Sequence, residues 1–169
     1  MPENQIPQNN NTYDGETKSI ILSLETLSKE YDTVLIKYNQ AQKDYINYIE
    51  NKSNNDDDSE PLSYIKGKKF DGTSTLSNRA STSVENCKAM CSSNSLCTGA
   101  TYNLDREYCS IKTGEGPINI GTKNDYAIVS KKLKYLQVIK DLTEELTNIN
   151  QKILTILNKR ILLSQSQYH

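Results

Sequence analysis

The sequence predicts an α+β fold: a small antiparallel module carrying one short helix, inserted between two long helices that pair as an antiparallel coiled-coil hairpin. Three observations predict it. All four cysteines fall between Cys87 and Cys109, at spacing C-x3-C-x5-C-x11-C, in a stretch that passes from helix to strand signals. On both sides of that stretch, apolar residues recur in unbroken steps of four and three, the period of a helical seam. The two periodic stretches also match in length, at roughly 34 residues or about 50 Å of helix each.

The cysteine-bearing stretch opens with a short helix. Ser83 can serve as N-cap, and Glu85 places an acidic residue in the first turn, where the helix dipole favours it. Cys87 and Cys91 lie four apart, so both thiols project from one helical face. Ser92, Ser93 and Asn94 end the helix. Cys97 to Asn103 reads as a strand, Asp105 and Arg106 as a polar turn, and Tyr108 to Ile111 as a second strand before the loop Gly114-Glu-Gly116-Pro117. Four cysteines allow three disulfide connectivities. A structural zinc site and free thiols are the other readings, although zinc knuckles usually come as two close pairs, and Cys97 and Cys109 are far apart.

The stretch resembles a PAN/Apple domain, in which a C-x3-C helix is linked by disulfides to a central sheet. The resemblance covers roughly residues 62–130 and is carried by the four cysteines and by Gly99-Ala-Thr-Tyr-Asn103. It implies the pairing Cys87–Cys109 and Cys91–Cys97, and a module that binds protein or carbohydrate. The segment Ser92 to Leu96 is short for the family, a trimmed surface loop. In the chain-entropy model the larger disulfide loop is worth about 3 kcal/mol and the smaller about 2 kcal/mol. A module of about 70 residues with a thin core needs such staples. One Phe and no Trp in the whole chain make the core thin.

The chain divides in order into a polar tail (1–16), a first coiled-coil helix (17–50), an acidic linker (51–61), the module (62–130), a second helix (131–164) and a short tail (165–169). The opening MPENQIPQNNN is polar and reads as no signal peptide. Asn10-Asn-Thr12 and Asn51-Lys-Ser53 match glycosylation sequons, and Asp56 to Asp58 read as solvated linker rather than a calcium loop. The module's first strand is expected around Ile65 to Phe70, with Phe70 packed under the helix. Lys66, Lys68 and Lys69 form a basic cluster, either guarding an edge strand or facing an anionic ligand. Tyr126 to Val129 reads as the closing strand.

The first seam runs through Ile20, Leu24, Leu27, Tyr31, Val34, Tyr38, Ala41, Tyr45 and Tyr48. The second runs through Tyr135, Ile139, Leu142, Leu146, Ile149, Ile153, Ile156, Arg160 and Leu163. In an antiparallel pairing, seam residues whose numbers sum to about 180 should face each other. Tyr45 then meets Tyr135, Tyr38 meets Leu142, Tyr31 meets Ile149 and Leu24 meets Ile156. Lys37 comes near Glu145, and Glu30 near Lys152, opposite in sign in both cases. Ile21, Leu35, Ile49, Leu136 and Leu157 widen the seams beyond what a lone hairpin needs.

Composition narrows the function classes. Twenty basic against 21 acidic residues give a net charge of -1, which offers no electrostatic footprint for nucleic acid. No apolar run approaches the roughly 18 residues of a membrane span. The only His is the terminal His169, and neither HExxH, GxSxG nor a phosphate-binding glycine loop occurs, so no catalytic residue, metal ligand or cofactor site is expected. The reading is a non-enzymatic structural or interaction protein, a coiled-coil stalk presenting a PAN-like head. Its partners would be proteins or further copies of itself through the helices, with carbohydrate as a ligand of the head. The abundance of Asn, Ile, Lys and Tyr reads as codon bias of an AT-rich genome, and PAN-like modules of this tone resemble ones in large DNA viruses that encode their own thiol oxidases, a resemblance that implies a virion or capsid-associated role. The alternative is a secreted or cell-surface adhesion module.

Overall fold

The computed structural model describes residues 10–54 and 60–166, with side chains from residue 15 onward. Residues 1–9, Asp56 to Asp58, His169 and the side chains of the Asn10-Asn-Thr12 sequon lie outside the described residues. The elements run α1 (Asn10–Asn54), β1 (Leu62–Lys66), β2 (Lys68–Phe70), β3 (Ser74–Ala80), α2 (Val84–Ser92), β4 (Gly99–Asn103), β5 (Tyr108–Thr113), β6 (Ile118–Ile120), β7 (Asp125–Ser130) and α3 (Lys131–Ser166). They form two compact units, residues 41–139 and the helical remainder.

In the unit of residues 41–139, five antiparallel strands lie in the order β1-β7-β4-β5-β3, and β2 pairs with β6 as a separate two-stranded ribbon. Helix α2 starts where Ser83, in extended backbone, accepts a hydrogen bond at 3.0 Å from the Asn86 backbone N–H. Its two cysteines are buried and bonded as Cys87–Cys109 and Cys91–Cys97, with Cα separations of 5.4 Å and 5.3 Å. The first bond ties α2 to β5, and the second closes the turn leading to β4. With every thiol consumed, the zinc and free-thiol readings fall away. Ala100, Tyr102, Ile111 and Ile128 pack with these cysteines into the main core. Tyr102 is fully buried, and its hydroxyl donates to the Ser81 carbonyl at 3.1 Å.

A second core lies apart from the first. Phe70 packs on Ala127 and Val129 rather than under the short helix, which corrects the expectation for the chain's only Phe. Residues alternate across a strand. Ala127 and Val129 therefore leave β7 on the side opposite Ile128, which serves the α2 core. The single strand expected at Ile65 to Phe70 is two strands in different sheets. Gly67, at φ +82°, breaks it in a conformation that glycine adopts freely. Its N–H donates to the Asp125 carbonyl at 2.7 Å, and its carbonyl accepts from Gly121 at 2.8 Å. Strands β3 and β6 went unexpected: β3 has one large apolar residue, Leu76, in seven positions, and β6 is three residues long.

Both long helices exceed the expected limits. Helix α1 begins before Thr17 and continues through Asn51 to Asn54. Its last turn is held because Tyr48 donates to Glu60 Oε2 at 2.7 Å and Lys52 pairs with the same carboxylate. Nearby, the ring centroids of Tyr45 and Tyr135 lie 6.4 Å apart, the pair expected from the sum of 180, and Tyr48 lies closer still to Tyr135 at 5.1 Å.

In the helical unit, residues up to Gln40 of α1 run beside residues from Lys140 of α3. A groove between them is lined by Leu22 to Leu27 on one side and Asn148 to Ile156 on the other. Ile20, Val34 and Ile149 are buried, whereas Leu24, Leu27, Tyr31, Tyr38, Leu142, Leu146, Ile153 and Ile156 stay half-buried. Two helices alone leave most of this seam partly open. Neither Lys37 with Glu145 nor Glu30 with Lys152 closes to an ion pair among the described residues.

Candidate functional site

Strands β4 and β5 alternate in chemistry as well as in direction. Ala100, Tyr102, Cys109 and Ile111 face α2, so Thr101, Asn103, Tyr108, Ser110 and Lys112 must face the other way. That second face is only part-covered. The β2–β6 ribbon lies on it through Phe70 and is pinned by one hydroxyl. Thr101 Oγ1 accepts from the Phe70 N–H at 2.9 Å and donates to the Phe70 carbonyl at 2.8 Å. Gly99 permits this close approach. A Cβ there would lie 2.5 Å from Phe70 Cδ1 and 2.7 Å from the Ile128 carbonyl oxygen.

The uncovered part of the face is a cleft of about 300 Å³. Thr101, Asn103, Ser110, Tyr108 and Lys112 form its floor, and Lys69, Asp71, Arg106, Thr122 and Asp125 line it further. Its organising group is Asp125, 2% exposed at the start of β7. One carboxylate oxygen accepts from Asn103 Nδ2 at 2.8 Å. The other accepts from the Thr122 N–H at 2.7 Å and the Thr122 hydroxyl at 3.0 Å, with Lys69 Nζ at 3.8 Å. Burial by itself would raise the Asp125 carboxyl. The hydrogen bonds from Asn103 and Thr122 and the Lys69 charge more than offset it and hold the group below the usual carboxylate range. Asp125 is therefore a fixed anion that orients Asn103, whose own carbonyl accepts from the Arg106 N–H at 2.9 Å and shapes the turn.

The remaining lining groups are charged, aromatic and hydroxyl side chains. Lys69, Arg106 and Lys112 outnumber Asp71 and Asp125 by one charge, three against two. Lys112 already donates to Thr75 Oγ1 at 2.7 Å, while Arg106 makes no ion pair among the described residues. Tyr108 is 40% exposed and offers an aromatic surface beside these donors. Among the described residues, no group of three or more His, Cys, Asp or Glu is placed to hold a metal ion.

The structure separates the lysine cluster. Lys69 lines the cleft. Lys68 precedes it on β2 and so projects from the other face of the ribbon, and Lys66 ends β1 opposite Tyr126 and is exposed. The cleft residues of β4 and β5 were missed in the sequence, although the period-2 alternation of Thr101-x-Asn103 and Tyr108-x-Ser110-x-Lys112 carries the signal. Nothing local reveals that Asp125, 22 residues further on from Asn103, closes the site.

Residues 62–137 match the family model described as the PAN domain. Among solved structures, the chain is similar to a PAN module from Eimeria tenella determined in solution, at 20% identity and a TM-score of 0.34. That match covers 45% of this chain and 86% of the other. No curated protein matches. The segment is a PAN domain, with an antiparallel sheet and two disulfides, flanked by long helices.

Proposed function

We propose that this protein is a non-enzymatic binding protein whose PAN domain takes a saccharide bearing an acidic group in the cleft over β4 and β5. The observation that supports this most is the convergence of the Tyr108 ring and the Arg106 guanidinium on an open, hydroxyl- and amide-lined sheet face. An aromatic face packs against the C–H face of a sugar ring. The planar guanidinium matches a carboxylate or sulfate in two parallel hydrogen bonds. Asn103 keeps its second amide hydrogen, and the Ser110 and Thr122 hydroxyls, whose protons are committed to Asn78 and Asp125, keep acceptor lone pairs for ring hydroxyls. The pattern of an apolar surface with a few convergent polar groups is that of ligand sites in general.

In this reading the long helices serve assembly, and the protein works in an oxidising setting, outside the cell or on a surface, because its stability depends on two disulfides. A virion component is the narrower form of that placement and draws its support from composition alone.

Glycan-array binding of the full chain tests the proposal. Sialylated, uronic or sulfated saccharides should bind in preference to their neutral counterparts. Arg106→Ala should weaken binding about tenfold, the loss of one charge-assisted contact. Absence of saccharide binding, or unchanged binding by Arg106→Ala, would overturn it and leave a protein ligand as the reading.

A further inference from the structure

The two edges of the helical seam differ in kind. With Leu24, Tyr31 and Tyr38 at heptad position a and Leu27 and Val34 at d, the e positions of α1 among the helical unit's residues with described side chains are Ile21, Ser28 and Leu35. The corresponding e positions of α3 are Thr143, Asn150, Leu157 and Ser164. None of these seven residues is charged. Of the six g positions, Ser23, Glu30, Lys37, Glu145, Lys152 and Lys159, five are charged. A self-sufficient two-helix seam carries charge on both flanks.

Both e edges lie on one face. The groove between the helices is lined from the other side by Ser23 and Thr26 of α1 and Lys152 and Thr155 of α3, at g and c positions on both helices. The e edges therefore share the opposite face. Apolar residues widen that face: Leu154 is 58% exposed and Ile161 54%, both at b positions beside the e edge of α3. The half-buried seam described above adds a further deficit, because a and d residues remain open to whatever packs next.

We propose that this uncharged face docks a second copy of the same chain, forming a four-helix bundle in which a, d and e positions make the core. The size of the face fits that occupant. About 24 residues of each helix, side by side, give a footprint of roughly 700 Å². That is close to the ~800 Å² per partner of a standard stable interface. The chemistry fits as well. A two-fold interface sets the same patch against itself, and a patch without charges is compatible with itself where a charged one is not. The b positions also hold Lys18, Glu25, Asp32 and Lys140, charges at the outer rim where water reaches them. The inference deepens the reading of the long helices as assembly elements and is independent of the cleft.

Sedimentation equilibrium of the full chain tests it. The wild type should have about twice the chain mass of 19.1 kDa. Ser28→Lys with Asn150→Lys places charges on the face without removing any apolar side chain. It should raise the dissociation constant about 100-fold or more, since apposed like charges cost several kcal/mol. Ser23→Lys with Thr155→Lys, on the groove side, should leave the dimer intact. Circular dichroism on the same samples checks that helix content is kept. A wild-type monomer at high micromolar concentration, a mass other than twofold, or dissociation by the groove-side variant alone would overturn the inference. Saccharide binding on the same samples separates the two proposals: a monomer that still binds on the array defeats this one only.

Discussion

At the scale of single residues, Asp125 and Gly99 decide whether the cleft exists. Asp125 has its carboxyl held low, so its contribution to stability is present above the unfolded value of about 3.9 and is lost as pH falls through the folded value. Asp125→Asn should cost about 1–3 kcal/mol at neutral pH, through loss of charge-assisted hydrogen bonds from Thr122 and Asn103. Urea denaturation should show the gap between variant and wild type closing as the pH drops below about 4. A constant gap across that range would mean that the charge of Asp125 contributes nothing. Gly99→Ala is the steric counterpart. The new methyl meets Phe70 and the Ile128 carbonyl, so the ribbon must lift or the sheet must shift. Destabilisation of about 1–3 kcal/mol is expected, with a reduced saccharide response if the ribbon moves Lys69.

At the scale of elements, the two disulfides and the ribbon carry the module. Cys87→Ser with Cys109→Ser detaches α2 from β5 and should lower stability by about 2–5 kcal/mol, read as a fall in the thermal midpoint. Much of this scale was legible in the chain. The cap at Ser83, the two thiols on one helical face and the steps of four and three follow from local periodicity, and the structure has α2, α1 and α3 there. The disulfide pairing came from family resemblance, since spacing left three choices. What escaped was non-local or weakly patterned. Strand β3 is almost wholly polar, and it forms because β5 offers an edge to pair with. Phe70 could not be assigned to a face without knowing that Gly67 turns the chain into a separate ribbon.

At the scale of the whole molecule, a near-neutral chain carries a local excess of positive charge. The net charge of -1 hides a cleft whose cations outnumber its anions. Saccharide affinity should therefore fall as salt rises, with a shallower fall for Arg106→Ala, because an exposed guanidinium is screened over about 8–10 Å at physiological ionic strength. In the helical unit the proposed dimer surface is instead the edge whose described e positions carry no charge. Among the described residues no helix is long and apolar enough to cross a membrane. The most direct test of the central claim, that the open face of the PAN domain is the binding site, is amide-resonance mapping during titration with an acid-bearing saccharide. The shifts should concentrate at Thr101, Asn103, Arg106, Tyr108 and Ser110, leaving α2 and β3 unmoved. Shifts centred on α2 or β3, or none at saturating ligand, would contradict it.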